Sequence, residues 1–211
     1  MSLLDFTLET IGAQSRSRAR SQQTEIGPSE LGSCRKKVWL KLQGTEETNE
    51  TSFLASWMGT AIHASLDEAV ERLDPFSARY LREIEVERDG MRGHVDLFDL
   101  EAGEVIDWKT TTKNGLKRFP TAEQIWQVQV YGYLLSKTHE VKTVSLVCIP
   151  RDGSEKHIKT HTEPYDEAVA LEALAWLADV EGREFAPEPE RSARYFCIDY
   201  CEFFGACSGG K

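Results

Sequence analysis

Apolar and polar positions along this chain change rhythm several times, and the changes mark its elements. Over residues 53–73, Leu54, Trp57, Met58, Ala61, Leu66, Ala69, Val70 and Leu73 form one broad apolar helical face, which Asp74-Pro75 terminates. Strand-like runs follow. Residues 81–87, with Leu81, Ile84 and Val86 apolar, end at the turn signal Asp89-Gly90. Met91–Asp99 and residues 104–110 flank a second turn around Glu101-Ala102-Gly103. Residues 121–136 predict another helix, carrying Ile125, Trp126, Val128, Leu134 and Leu135. Thr143–Pro150 is a continuous apolar run and predicts a central strand, 156–162 a further strand, and the Ala- and Leu-rich stretch 166–180 a helix. Upstream, Gly27-Pro28 opens a short helix that Ser29 can cap and that runs to Leu40, and 44–51 is a polar loop. The order helix, three strands, helix, strands, helix predicts an α/β fold, a mixed sheet flanked by helices.

Length fits this to one domain or one domain with a small annex, since the chain has 211 residues, 40% of them hydrophobic. We divide it into a polar N-terminal segment (1–25), a core (26–185) and a cysteine-bearing tail (186–211). Residues 10–24 are Ser- and Arg-rich and are expected to be mobile without a ligand. No apolar run is long enough to span a membrane, and the first residues lack the basic-then-apolar layout of a secretion signal, which predicts a cytoplasmic, reducing location.

The net charge of −10 argues against a surface that adheres to nucleic acid everywhere. Basic residues cluster nonetheless: Arg16, Arg18 and Arg20; Arg35, Lys36, Lys37 and Lys41; and Lys109, Lys113, Lys117 and Arg118. Arg35, Lys36, Lys113, Lys117 and Arg118 are candidate DNA contacts. Acids gather instead at 46–50 and over 163–190.

Candidate chemistry comes from two groups. Cys34, Cys197, Cys201 and Cys207 sit near the two ends of the chain, a layout that in a reducing compartment suits a metal or cluster site better than disulfides. Cys148, within an apolar run, reads as a buried strand residue. Between them lie Asp96, Asp107 and Lys109. Side chains alternate along a strand, so Asp107 and Lys109 share a face. If residues 100–103 form a hairpin loop, Asp99 pairs with Glu104, Leu97 with Ile106, and Asp96 falls opposite Asp107. Carboxylates held that close repel, and a divalent cation resolves the conflict. Such a cation suits phosphodiester hydrolysis, with Lys109 orienting water or neutralising developing charge. His63, in the middle of the first long helix, is a candidate metal ligand. His94 shares a face with Asp96 by the period-two rule. Gln127 and Tyr131, spaced i, i+4, share one face of the next helix, either toward the sheet as phosphate or water binders or toward solvent.

These residues, in this order, resemble the RecB-like branch of the PD-(D/E)XK nuclease superfamily. The resemblance rests on Ser29-x-Leu31-x-x-Cys34, Gly59-Thr60-Ala61-Ile62-His63, Gly93-His94-Val95-Asp96, Val105-Ile106-Asp107-Trp108-Lys109-Thr110 and Gln127-x-x-x-Tyr131, and spans residues 26–207. One early and three late cysteines resemble the iron–sulfur exonucleases of that branch, among them the CRISPR-associated Cas-four nucleases and phage-encoded relatives. The resemblance implies a restriction-endonuclease-like core with a C-terminal iron–sulfur annex. It implies His63, Asp96, Asp107 and the Trp108 carbonyl as ligands of Mn2+ or Mg2+, Lys109 as the catalytic lysine, and Gln127 and Tyr131 as supports. It also implies a [4Fe-4S] cluster on Cys34, Cys197, Cys201 and Cys207, with zinc as the alternative for four thiolates. The chain departs from that pattern in one place, since three residues rather than two separate Cys197 from Cys201. The function expected is a metal-dependent exonuclease acting on single-stranded DNA or DNA ends, 5′→3′ by the resemblance, in recombination, repair or phage DNA metabolism. The alternatives are a prespacer-processing nuclease of a CRISPR integration complex, with endonuclease activity, and a non-catalytic DNA-binding adaptor. DNA is the expected partner, joined by a recombination or CRISPR integration protein, and an oligomer is compatible with the family.

Overall fold

A computed structural model of the chain describes residues 2–16, 25–49, 53–190 and 194–208, with the side chains of 15, 16, 194–196 and 208 set aside. Arg18, Arg20 and the rest of 17–24 lie outside the described residues, as do 50–52 at the end of the predicted polar loop. Among the described residues no helix is long and apolar enough to cross a membrane. The chain divides into two units.

The larger unit, Gly27–Gly32 with Ala61–Asp179, holds the sheet. Its strands are β1 (Tyr80–Arg88), β2 (Met91–Asp99), β3 (Glu104–Thr111), β4 (Thr143–Pro150) and β5 (Lys159–Pro164). They lie in chain order, and every neighbouring pair is antiparallel except β3–β4. The parallel pair requires a crossover, supplied by a helix over Ala122–Leu135. Thr121 caps that helix, and Gln124 returns the bond to the Thr121 backbone. The helix is buried on every side from Gln127 to Leu135, which explains its near-continuous apolar run. Gly132 lies against Tyr165, and Trp126 meets Trp176 edge to face with ring centroids 6.3 Å apart. Val95, Val105, Val130, Val144 and Leu146 form the centre of the core.

The predicted hairpin register holds where the strands pair: Asp99 faces Glu104 and Leu97 faces Ile106. Asp89 and Gly90 take positive φ of 53° and 82°, the geometry of the tight turn expected there. The last strand begins at Lys159 rather than 156, because Glu155–His157 closes into a 3-10 turn.

The expected helix from Ser29 to Leu40 divides. Pro28–Glu30 is a single 3-10 turn in the larger unit, and a separate helix spans Arg35–Leu42 in the smaller. Gly32 causes the break with φ +75°, a conformation that favours glycine. The long helix Leu54–Leu73 is present, yet none of its residues is fully buried, and Leu54 and Leu73 are exposed. In its Ala61–Leu73 part the half-buried stripe includes His63 and Asp67, so polar groups as well as apolar ones face the protein.

The smaller unit takes in the chain through Ile26, Ser33–Thr60 and residues from Val180 onward. Within the segment expected to be polar and mobile, Leu3–Arg16 is a helix. Ser2 and Asp5 exchange hydrogen bonds at its start (3.1 and 2.9 Å), a reciprocal cap. The tail forms two short helices, Arg194–Tyr200 and Phe204–Ser208. Thr48 and Asn49 donate backbone N–H groups to Glu202 O, and Asn49 Nδ2 donates to Ile198 O and Cys201 O.

Gly93 on β2 is where the sheet and the crossover helix approach most closely. A Cβ there would stand 2.8 Å from Tyr131 Cε1 and 3.0 Å from Pro28 Cγ. Gly93→Ala is therefore expected to destabilise the fold by about 1–3 kcal/mol, read as a lower urea midpoint at unchanged m-value.

Candidate active site

The candidate residues of the larger unit come together where β2 and β3 part. Their ladder ends at Leu97–Ile106, one step before Asp96 and Asp107 would pair. Asp96 fills the gap with its side chain: the Trp108 backbone N–H donates to its Oδ2 at 2.8 Å. Its other oxygen lies 3.4 Å from His63 Nδ1. The His63 ring also stands edge-on to Trp108, centroids 6.1 Å apart. Burial lowers the His63 pKa, but the Asp96 hydrogen bond and the charges of Asp96 and Asp107 outweigh it, so His63 holds its proton more tightly than a free imidazole.

Asp107 and Lys109 share a face, as alternation requires. Lys109 Nζ is 2.6 Å from Asp107 Oδ2 and donates to Gln127 Oε1, also at 2.6 Å. Gln127 Nε2 reaches Asp107 Oδ1 at 3.4 Å and Tyr131 OH at 3.1 Å. Gln127 and Tyr131 thus face the sheet, not solvent, and both are buried. Asp107 is 2% exposed, and its pKa is pushed up to about 6. Burial is the main cause, Lys109 opposes it, and Asp96 adds to it. The ion pair with Lys109 lacks hydrogen-bond geometry, so buried Oδ2 keeps an unfilled acceptor.

That orphaned oxygen, beside a second buried carboxylate and an imidazole, is a donor set that fits a divalent cation. Among the described residues, however, no group of three or more His, Cys, Asp or Glu side chains is assembled to hold a metal ion. Here the Lys109 ammonium forms an ion pair with Asp107 and the Trp108 amide donates to Asp96. His94 does not join them. Arg92 and His94 are exposed while Asp96 is buried among buried neighbours, so strict alternation breaks just before Asp96. Glu83 is a residue the sequence does not signal. It reads as one more exposed position of β1, but it lies within electrostatic reach of Asp96 and His63.

Lys113, Lys117 and Arg118 are exposed in the loop that follows β3. In the smaller unit Arg35 pairs with Glu190 at 3.0 Å, Lys37 pairs with Glu202 at 3.1 Å, and Lys36 is half-buried. The same unit contains Cys34, Cys197, Cys201 and Cys207, each half-buried. Cys34 stands at the N-cap of the helix Arg35–Leu42. Burial pushes the Cys207 thiol up, and Cys34 and Cys197 add to the shift. Cys201 is raised first by burial and further by Cys197. Among the described residues, however, these cysteines are not assembled into a group of three or more that could hold a metal ion. Cys148 is 1% exposed on β4, the buried strand residue expected.

Comparison with known proteins bears on this arrangement. The profile of the PD-(D/E)XK nuclease superfamily matches residues 19–208. The solved structure of a protein called SSO0001 aligns over 100% of this chain and 98% of its own at 20% identity, with a TM-score of 0.63, a likeness of fold. An alkaline exonuclease, LHK-Exo, from Laribacter hongkongensis aligns over 77% of this chain and 90% of its own, at 16% identity and a TM-score of 0.48. A phage related exonuclease from Haemophilus somnus 129PT covers 69% and 76% at 12% identity, with a TM-score of 0.45. No curated protein matches the chain.

The raised Asp107 sets a pH dependence. Its folded pKa, about 6, exceeds the ordinary carboxylate value of 3.8, so the folded protein binds the proton more tightly than the unfolded chain. Stability of the metal-free protein should fall as pH rises through that window. In chelator, Asp107→Asn is expected to melt several degrees above wild type at pH 7 and to converge with it near pH 4. Added Mn2+ should raise the melting temperature of wild type but not of the variant.

Proposed function

Because the chain belongs to the PD-(D/E)XK nuclease superfamily, we propose that it is a divalent-metal-dependent exonuclease. It removes nucleotides from single-stranded DNA or DNA ends, with 5′→3′ polarity. The observation that carries this reading is the buried link Asp107–Lys109–Gln127 beside Asp96, because it sets an ammonium against one buried carboxylate while a second, Asp96, is bonded to the intervening Trp108 N–H. Folding gains little from such a group, and hydrolysis of a phosphodiester needs it.

His63, Asp96, Asp107 and the Trp108 carbonyl would hold Mn2+ or Mg2+, which when bound supplies Lewis acidity to the scissile phosphate and a lowered pKa to the attacking water. Lys109 stands ready to neutralise charge that develops on the phosphate oxygens. Gln127 sets where that ammonium points, because it accepts from Nζ through one end of its amide and meets Asp107 and Tyr131 through the other. Burial of Asp107 excludes water from this side of the group and strengthens every charge interaction within it.

The cysteine tail has a separate, structural role in this reading. Cys34, Cys197, Cys201 and Cys207 hold a [4Fe-4S] cluster, a reading supported by the half-burial of all four in one unit. Closing so long a stretch of chain through one cofactor converts its binding energy into folding energy. The protein works in a reducing, cytoplasmic setting, where such thiolates stay available.

Two experiments check these assignments. With end-labelled linear and circular single-stranded DNA in Mn2+ or Mg2+, the linear substrate should be degraded from its 5′ end and the circle spared. Asp107→Ala and Lys109→Ala should each lower the rate by at least about a hundredfold. Cutting of the circle at a similar rate would replace exonuclease by endonuclease, and no activity in any protein would leave a DNA-binding adaptor. For the tail, anaerobically prepared protein should be brown and contain iron, and Cys201→Ala should lose the colour and melt at lower temperature. A colourless, iron-free wild type of equal stability rules the cluster out.

A further inference from the structure

The helix Leu54–Leu73 brings His63 to the site, but its apolar residues hold it there only weakly. None of its residues is fully buried, and in the part that belongs to the larger unit Ile62, Leu66, Ala69 and Val70 are half-buried. Apolar contact is non-directional, so partial burial of this kind sets neither the rotation of a helix nor its axial position closely. Polar contacts do set them. His63, Asp67 and Glu71 follow one another at intervals of four and so lie along one stripe of the helix. His63 meets Asp96 on β2. Arg82 on β1 takes the next two members of the stripe. Its Nη1 donates to Asp67 Oδ1 at 2.7 Å and to the Asp67 backbone O at 3.3 Å, and its Nη2 lies 3.3 Å from Glu71 Oε1.

The spacing of these contacts matches the sheet beneath them. The β1–β2 ladder pairs Arg82 with Leu97, the residue that follows Asp96. Neighbouring strands stand about 4.8 Å apart, and one helical turn rises about 5.4 Å. One turn therefore carries the helix from its contact with Asp96 on β2 to its contact with Arg82 on β1. The arrangement is not the most favourable one for Arg82 itself. Its side chain is 19% exposed, and its Nε is buried without a partner. An ion pair kept only for stability gains little when one donor of the guanidinium is left buried and unfilled.

We propose that Arg82, gripping Asp67 and Glu71, is a positioning residue that holds His63 against Asp96. It acts through the helix: fixing the second and third members of the stripe fixes the first. The consequence for hydrolysis rests on the reading of His63 and Asp96 as members of a nuclease site, while the hold on the helix does not.

Modification of histidines by diethyl pyrocarbonate, mapped by mass spectrometry on folded protein in chelator, reads this clamp without reference to activity. Arg82→Gln and Asp67→Asn should each speed modification of His63, while His139 and His157 keep their wild-type rates. Glu71→Gln changes an exposed residue and keeps the Asp67 bonds, and should shift the His63 rate in the same direction but less. A pair that only stabilises the fold would lower the melting temperature and leave the His63 rate of the folded protein unchanged. That result in either Arg82→Gln or Asp67→Asn overturns the clamp. On linear single-stranded DNA with Mn2+, the same two variants should lose about tenfold or more in kcat. Their KM should stay within about twofold of wild type. Asp67→Asn combined with His63→Ala should be no slower than His63→Ala alone, because both changes act through one group, and a further loss also overturns the clamp. A wild type that does not cut DNA, with His63 released in the variants, overturns the nuclease reading and leaves the clamp standing.

Discussion

A carboxylate buried in a sheet has to find positive charge, and the core of the larger unit is arranged around how Asp107 does so. Lys109 is two residues away on the same strand and therefore on the same face, 2.6 Å from the carboxylate. An ammonium that close to a buried acid needs a further acceptor, and Gln127 supplies it from the crossover helix. A glutamine buried at 5% exposure requires that helix to lie against the sheet, which the parallel β3–β4 pair enforces by demanding a crossover of this length. The small size of Gly93 lets Tyr131, one helical turn beyond Gln127, close over β2. Removing the charge pair would leave the helix packed but would take away the reason for its polar face.

The parting of β2 and β3 follows from the same constraint. Were the ladder to continue, Asp96 and Asp107 would stand with Cβ atoms roughly 5 Å apart and no cation between them. Instead Asp96 turns into the gap, takes the Trp108 N–H that a ladder partner would have used, and reaches His63 with its free oxygen. The backbone donor is satisfied, so the parting leaves no orphaned N–H there. The unfilled atom is Asp107 Oδ2, a carboxylate oxygen suited to a cation. Asp107 Oδ2 is one of three such buried side-chain atoms among the described residues, with Arg82 Nε and Tyr165 OH.

Much of this was legible in the residues. Strand β2, strand β4, the crossover helix and the Asp99–Glu104 register follow from periodicity and turn chemistry. The shared face of Asp107 and Lys109 follows from alternation alone. The pattern does not show where alternation fails. Glu83 and Asp96 interrupt their strands together, and nothing in residues 81–87 distinguishes Glu83 from Glu85 or Glu87 until the backbone is known. His94 lies two residues before Asp96 on the same strand but is exposed where Asp96 is buried. The split at Gly32 has the same origin, because a positive φ at one glycine redirects a chain whose side chains otherwise suit one helix. Helix Leu3–Arg16 was missed because its leucines and Phe6 are exposed, so its apolar residues do not report a buried face. That Cys34 shares a unit with a tail more than 160 residues later is a tertiary fact that spacing can suggest only by family resemblance.

Charge distribution adds a constraint on how the proposed substrate could approach. A chain of net charge −10 repels a polyanion over most of its surface. Residues 109–118 carry Lys109, Lys113, Lys117 and Arg118 and no acid, so they form a local exception that begins at the buried ammonium. The last three are exposed. Along the chain, the other basic cluster among the described residues, Arg35, Lys36, Lys37 and Lys41, is partly neutralised, since Arg35 pairs with Glu190 and Lys37 with Glu202.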